Sequence, residues 1–229
     1  MRQDIRSGDC RKGADMKVIG ITGGVGAGKS ALLQYMKEHY SCRIRMADTA
    51  AHEVSAKGNR AYPALVKLLE SGEYQTGQPV LRADGEIDRA EMASRIFAHP
   101  QLREEVNAIV HPAVRDLITS EIEQERYLES QKDENAVRYY ILEAALLIEC
   151  GYGAVVDEMW YIYCDPAVRG KRLQEERGYS AEKVRGIMAA QLTEEQFRAG
   201  SDVVIDNSGA LADTFRQIDR EFARLARST

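Results

Sequence analysis

The chain lacks the features that indicate a disulfide framework, a structural zinc site or a membrane anchor. Its four cysteines, Cys10, Cys42, Cys150 and Cys164, are far apart and form no Cys-x-x-Cys pair, so neither disulfides nor zinc are suggested. No apolar run approaches the roughly 18 residues of a membrane span, and the N-terminus lacks the apolar stretch of a secretory signal. These absences predict a soluble, cytoplasmic protein with reduced thiols.

An excess of positive charge is also missing. The chain carries 31 Lys and Arg residues against 36 Asp and Glu residues, a formal net charge of −5. The field of the whole chain therefore gives no support for nucleic acid or an anionic membrane as a partner. Any anion-binding site must be built locally, within a chain of 229 residues that is long enough for one α/β enzyme domain.

Five short segments are rich in apolar and β-branched residues, and helical patterns lie between most of them. This alternation predicts an α/β fold with three layers, in which a five-stranded parallel sheet lies between helices. Near the C-terminus, apolar residues recur at spacings of four and three from Leu211 to Leu225, which predicts one packed helix. The predicted strands are residues 16–22, 42–46, 138–142, 159–164 and 203–205.

Two regions depart from the alternation. Residues from about 50 to 131 are mostly helical in pattern and contain no convincing strand, which indicates a helical, substrate-binding insertion beside the sheet. Within it, Asp88 followed by Glu91 resembles a capping box that opens a helix. Residues 1–15 have no apolar periodicity, so we expect a disordered extension before a single domain over 16–229.

A glycine-rich loop follows the first predicted strand. The pattern Gly-x-x-x-x-Gly-Lys-Ser is met by Gly23, Gly28, Lys29 and Ser30, and an amphipathic helix follows. This is the P-loop arrangement, in which backbone N–H groups and the helix N-terminus hold phosphates, the lysine reaches the β and γ phosphates and the serine binds Mg²⁺. ATP and Mg²⁺ are the expected ligands. The predicted nucleotide-binding residues of the loop are Gly24, Val25, Gly26, Ala27, Gly28, Lys29 and Ser30.

A carboxylate follows the second predicted strand. Asp48 comes just after residues 42–46, at the sheet edge where ligands bind in open α/β folds. It could act as a general base that accepts a hydroxyl proton during phosphoryl transfer. It could equally be the N-cap of a helix that begins at Thr49. Position alone does not decide between these two interpretations.

From Met16 to about Gly209 the chain resembles the dephospho-CoA kinases, which are P-loop kinases that phosphorylate the 3′-hydroxyl of dephospho-CoA and so complete coenzyme A. Several of the matching motifs are weak individually, but they occur in the family's order over nearly two hundred residues. The matching segments are residues 19–30, 47–48, 84–89, 96–100, 107–112, 143–149, 165–178, 189–191 and 202–209.

The resemblance assigns roles to several residues. It implies that Lys29 and Ser30 hold ATP and Mg²⁺, that Asp48 is the base, and that Arg172 and Arg177 close on the transferring phosphoryl group. These arginines belong to a lid at about 167–180, although their mixed-sign surroundings alone would favour a solvated helix.

Two further positions have open roles. Asn207 follows the last predicted strand and borders the adenine of ATP in one interpretation, or lies in a plain turn in the other. His111 lies near the acceptor or is structural, and Pro112 after it should end one helix or open the next.

Three positions differ from the family pattern. Met46 stands where the family has aspartate, His52 where it usually has arginine, and Ala145 where it has proline. These positions lie on the acceptor side, so the ATP half of the prediction does not depend on them. A kinase for a related nucleotide or small alcohol, and a non-catalytic ATP-binding regulator, stay open as alternatives. The expected partners are dephospho-CoA and ATP, without nucleic acid or membrane, for a monomer or small homo-oligomer.

Overall fold

The computed structural model describes residues 16–227 and contains a five-stranded sheet whose paired strands are all parallel. The strand order is β2-β3-β1-β4-β5. Each predicted strand is confirmed with its ends displaced by at most one residue. The strands are β1 (Lys17–Thr22), β2 (Cys42–Met46), β3 (Tyr139–Glu143), β4 (Glu158–Tyr163) and β5 (Val203–Asp206).

Helices cover both faces of the sheet and form the insertion between β2 and β3. The predicted extension at 1–15 lies outside the described residues. Short 3-10 helices occur at Gly72–Tyr74 and Tyr152–Ala154. The α-helices are α1 (Lys29–His39), α2 (Ala47–Ser55), α3 (Tyr62–Leu69), α4 (Arg89–Ala98), α5 (Pro100–Ser130), α6 (Pro166–Arg177), α7 (Ala181–Ala189), α8 (Glu194–Ala199) and α9 (Leu211–Arg227).

The alternation of side chains along the strands explains the three layers. In β1, Val18 packs into a core shared with α2, α3 and α5, whereas Ile19 and Ile21 pack into a second core with α1 and α9. Successive side chains of a strand point to opposite faces, so a strand that is apolar at consecutive positions must be covered on both sides. The predicted three-layer α/β/α fold is thereby confirmed.

The insertion is helical as predicted. Of the predicted capping box, the bonds to the Asp88 side chain are present, and the return bond from Glu91 is not. Asp88 Oδ1 accepts from the backbone N–H groups of Ala90 at 2.9 Å and Glu91 at 3.0 Å, so it caps α4. Glu91 does not return the bond, because its carboxylate accepts from Arg95 Nε at 2.8 Å. Arg95 is buried and also donates to the Leu69 carbonyl at 2.7 Å, which fastens α4 to the end of α3.

The prediction for Pro112 is wrong. It lies inside α5, which is continuous from Pro100 to Ser130. A proline inside a helix costs one hydrogen bond and about 3 kcal/mol. Here Val110 and Val114, on either side of the proline, belong to one buried stripe, and α5 packs along α2. Burial of this continuous stripe outweighs the local preference of proline for a helix end.

The C-terminal apolar stripe forms α9, and most of it is buried. Ile218, Phe222 and Leu225 are at most 3 % exposed, and Phe215 stacks on Tyr35 of α1. Leu211, the first residue of the predicted stripe, is instead 44 % exposed at the start of the helix. Among the described helices, none combines the length and apolar character needed to cross a membrane.

Candidate active site

The glycine loop connects β1 to α1 at the carboxyl edge of the sheet. Gly23, Gly26 and Gly28 have φ angles of 145°, 83° and 83°, a region that side-chain-bearing residues rarely adopt. At Gly23 a Cβ atom would also lie 2.6 Å from the Ile162 carbonyl oxygen of β4. The loop therefore depends on glycine both for its backbone angles and for its close approach to the neighbouring strand.

Lys29 begins α1 and folds back over the loop. Its Nζ donates to the Gly23 carbonyl at 2.6 Å and lies 3.5 Å from Glu143 Oε1 at the end of β3. Burial lowers the pKa of Lys29, while the Glu143 carboxylate acts in the opposite direction. Burial also raises the pKa of Glu143, which Lys29 partly offsets. The pair places one cation and one anion at the base of the loop.

Asp48 is the second residue of α2, just after β2 ends, and it is exposed. Met46 occupies the N-cap position of α2 without a capping hydrogen bond, so the N-cap interpretation of Asp48 is wrong. The charge of Asp48 favours the charged form of Lys29, although burial of Lys29 has the larger effect on its pKa. The structure thus brings the predicted base and the phosphate loop together.

Asp48 also lines a cavity of about 500 Å³ between α2, α4, α5 and the loop after β3, which we call the α2–α5 cavity. Its volume lies in the range of small-molecule sites. Apolar side chains form most of its wall, among them Ala51, Met92, Val106, Val110, Val114, Leu146 and Tyr152. Its polar groups include Asp48, His52, Glu86, Arg89, Asn107 and His111.

Two of the three residues that differ from the family pattern line this cavity. His52 and Ala145 line it, whereas Met46 does not. Met46 instead pairs in register with Glu143 of β3 and is 42 % exposed. Glu143 supplies a carboxylate next to Lys29. It lies on the strand beside Met46, the position at which the family carries aspartate.

Helix α6 brings Arg172 to the loop. Asp165 caps α6 by accepting from the Ala167 N–H at 2.8 Å. Arg172 then donates to the Asn207 carbonyl at 3.1 Å and lies against Gly28, where a Cβ atom would be 3.3 Å from its guanidinium. Arg177 is the exposed last residue of α6. Five residues turn a helix by about 140° beyond one full turn, so the two arginines leave α6 in different directions.

Asn207 supports the loop from the other side. It is 1 % exposed, and its Nδ2 donates to the Ala27 carbonyl at 2.8 Å while its Oδ1 accepts from Thr214 Oγ1 at 3.0 Å. Its side chain thus fastens the glycine loop to the start of α9. Contact of Asn207 with the adenine of ATP stays a prediction.

Three residues at the loop were not singled out from the sequence. Glu143 ends a strand next to β1, and the rule that parallel strands end at one edge could have found it. Arg169 donates from Nε to the Val25 carbonyl at 3.2 Å, and its guanidinium lies against Gly24. Gln191 accepts from the Val25 N–H at 3.3 Å. For Arg169 and Gln191 the sequence carries no signal beyond their places in weak motifs.

The Ser30 hydroxyl at this edge has the chemistry of a magnesium ligand. Over residues 16–227 no cluster of three or more His, Cys, Asp or Glu side chains could hold a metal ion. Ser30 is exposed near the start of α1, beside the loop. One hydroxyl suits Mg²⁺, which keeps several waters and takes other ligands from the phosphates of its substrate.

The arrangement defines the class. A glycine loop with its lysine lies at the same sheet edge as an aspartate that lines a separate cavity, and this is the layout of a P-loop kinase. Within that class the assignment is specific, because the family model described as "Dephospho-CoA kinase" matches residues 17–213. The chain belongs to the dephospho-CoA kinase family.

Individual members of the family are similar to this chain over nearly their whole length. The dephospho-CoA kinase of Geobacter sulfurreducens is 34 % identical over 209 residues, which cover 91 % of this chain and 98 % of the relative. That of Geobacillus kaustophilus is 35 % identical over 202 residues, with 87 % and 92 % covered.

Solved structures share the fold. The crystal structure of TT1252 from Thermus thermophilus is 26 % identical, with a TM-score of 0.69 and 92 % and 98 % of the two chains covered. Dephospho-CoA kinase from Campylobacter jejuni has a TM-score of 0.67 at 19 % identity, again with 92 % and 98 % covered. At that identity the second likeness concerns the fold alone.

Proposed function

We propose that this chain transfers the γ-phosphoryl group of ATP to the 3′-hydroxyl of dephospho-CoA, giving coenzyme A and ADP. The observation that carries the proposal is the meeting of two elements at one sheet edge. The Lys29 ammonium lies against the glycine loop, and Asp48 lines the α2–α5 cavity. Family membership makes dephospho-CoA the acceptor that this cavity would take.

The glycine loop would hold the phosphates of ATP. The N–H groups from Gly24 to Ser30 and the N-terminus of α1 supply donors, and Lys29 supplies a charge that can follow the γ-phosphate. Arg172 would add a guanidinium beside Gly28, whose planar fork matches phosphate oxygens. In such transfers, positioning and charge stabilisation carry most of the catalysis.

Asp48 would act on the acceptor. Its carboxylate accepts the proton of the 3′-hydroxyl, and that oxygen forms a bond to the γ-phosphorus. The bond between the γ-phosphorus and the bridging oxygen breaks, and ADP leaves with the electron pair. The proton then passes from Asp48 to water. Arg177, exposed at the end of α6, would add a second guanidinium to the phosphoryl group.

The α2–α5 cavity would receive dephospho-CoA. Its apolar wall suits the uncharged arm of the substrate, and Arg89, His52 and His111 are the basic side chains that line it. These are the groups available for the diphosphate of the acceptor. His52, in place of the family's arginine, leaves a related nucleotide or small alcohol as the alternative acceptor.

A magnesium ion bound with ATP would neutralise charge on the phosphates. Ser30, exposed near the start of α1, would hold it together with phosphate oxygens and water.

A coupled ADP-release assay tests the proposal. The chain is compared on dephospho-CoA, AMP, CMP, pantetheine and shikimate, with Lys29→Ala as the inactive control and Lys37→Ala, at the other end of α1, as the matched one. We expect turnover on dephospho-CoA alone. Turnover only on a nucleoside monophosphate would move the assignment to a related kinase. Binding of Mg·ATP without turnover on any acceptor would favour a regulator.

A further inference from the structure

Both backbone polar groups of Val25 are bound by side chains from outside the glycine loop. The Val25 N–H donates to Gln191 Oε1 at 3.3 Å, and the Val25 carbonyl accepts from Arg169 Nε at 3.2 Å. The two side chains also meet each other, because Arg169 Nη2 donates to the same Gln191 Oε1 at 2.6 Å. One carboxamide oxygen therefore bridges a loop N–H and a guanidinium.

The Val25 N–H and the Arg169 guanidinium are donors of the kind that bind a phosphate oxygen. Loop N–H groups and arginine guanidinium groups are the recurrent partners of nucleotide phosphates, and a charged oxygen binds them more strongly than a neutral carboxamide does. We propose that Gln191 competes with a phosphate oxygen of ATP for the Val25 N–H and for Arg169. ATP binding then releases Gln191 and transfers Arg169 to the phosphate. We call this pair the Arg169–Gln191 latch. It rests on the proposed function, since it requires ATP in the loop.

The position of Arg169 supports the exchange. Its guanidinium lies where a side chain on Gly24 would otherwise be, so the arginine reaches the loop backbone because residue 24 is glycine. It is also near enough to Lys29 to disfavour the charged form of that lysine, although burial is the larger cause of the lowered pKa. Two cations that act on each other repel, and an anion bound near both relieves that repulsion.

The latch also connects the loop to the segment that follows α6. Arg169 belongs to α6 and Gln191 lies two residues after α7, where its own N–H donates to the Met188 carbonyl at 3.3 Å. When phosphate replaces Gln191, the end of α7 would lose its contact with the loop. Arg169, bound to phosphate, would keep α6 at the loop. In this proposal Arg169 binds phosphate when ATP is present. Gln191 is a positioning residue that holds Arg169 when ATP is absent.

The test measures the Kd of Mg·ATP by calorimetry on the full chain, with kcat and KM for ATP from the ADP-release assay. Gln191→Ala should lower the Kd about 3- to 30-fold, the worth of one or two ordinary hydrogen bonds. Arg169→Ala should raise it about 10-fold or more, and in the double variant the tightening from Gln191→Ala should shrink. Gln174→Ala, exposed on α6, is the matched control and should change nothing.

A merely structural role for Gln191 would weaken ATP binding or leave it unchanged, so tightening separates the two. Unchanged or weaker binding in a Gln191→Ala variant whose urea midpoint equals the parent's would overturn the latch. Should that variant not fold, Gln191→Asn replaces it, because the shorter side chain cannot reach both donors and is also expected to bind ATP more tightly. A parent chain that binds no ATP would remove the proposed function as well, whereas binding that Gln191 does not affect would remove the latch alone.

Discussion

Lys29 Nζ and Glu143 Oε1 lie 3.5 Å apart, with side chains only 13 % and 10 % exposed. Lys29 begins α1 after the loop that follows β1, and Glu143 ends β3, the strand that pairs in parallel with β1. Each charge offsets part of the cost of burying the other. Glu143 therefore supports the ammonium that the phosphate loop needs.

The pH dependence of catalysis follows from this pair. Burial lowers the pKa of Lys29, so its proton is lost at a lower pH than in an ordinary lysine. Since the Lys29 ammonium is the proposed ligand of the ATP phosphates, kcat/KM for ATP should fall on the alkaline side below the usual lysine range. Glu143→Gln removes a carboxylate that favours the charged form, so this alkaline limb should move to lower pH. A pH profile of kcat/KM, which reports the free enzyme, measures it.

Glu123→Gln provides the control, because Glu123 is exposed on α5. Its profile should overlay that of the parent. An alkaline limb that stays in place or moves upward in Glu143→Gln would show that Glu143 does not support the charge of Lys29.

Asp48→Asn tests the general base. The amide keeps the size of the side chain but cannot take the proton, so kcat should fall by roughly 10² to 10⁴. Because Asp48 lies on the acceptor side of the loop, the Kd of Mg·ATP should stay nearly unchanged. Asp116→Asn is the control, since Asp116 lies in an exposed ion pair with Arg60 at 2.7 Å. Parent-like turnover of Asp48→Asn would remove Asp48 from the mechanism.

Substitution of each of the two arginines of α6 should lower kcat. Arg177 is exposed, so Arg177→Ala should leave the urea midpoint unchanged and lower kcat through loss of the proposed contact with the phosphoryl group. Arg172→Lys keeps the charge but loses the fork that contacts the Asn207 carbonyl, so kcat should fall about 10-fold or more. Arg185→Ala, exposed on α7, is the control. Full activity of Arg177→Ala would confine the phosphoryl contacts to the residues already at the loop.

Asn207→Ala should act on stability as well as on ATP binding. It leaves the Ala27 carbonyl without its side-chain donor and takes a partner from the buried Thr214 hydroxyl, which costs roughly 1–3 kcal/mol in the free energy of unfolding. KM for ATP should rise because the loop loses its anchor. Urea denaturation and initial rates measure both effects, with the exposed Asn135→Ala as control. A raised KM at unchanged stability would instead indicate a direct contact with the nucleotide.

The sequence was most informative where chemistry depends on neighbours along the chain. The glycine loop combines a strand, three glycines with positive φ and a helix start within residues 17–30, so local pattern was enough to find it. The five strands were found for the same reason, since apolar runs bounded by polar segments are local signals. Asp48 could be singled out because it directly follows a strand.

Local pattern failed where packing over a distance decided the outcome. Pro112 should have ended a helix, but burial of the α5 stripe against α2 kept the helix continuous. The carboxylate beside Lys29 comes from Glu143, 114 positions away in the chain, because the order β2-β3-β1 places the end of β3 next to the loop.

By itself, then, the sequence determined the phosphate loop, the α/β class and the family resemblance, because each is written in short ordered motifs. Tertiary structure alone decided what surrounds the loop. Glu143, Arg169, Gln191 and Asn207 reach it from four distant segments. No spacing in the chain encodes such contacts, since they depend on strand order and on helices packed across the sheet edge.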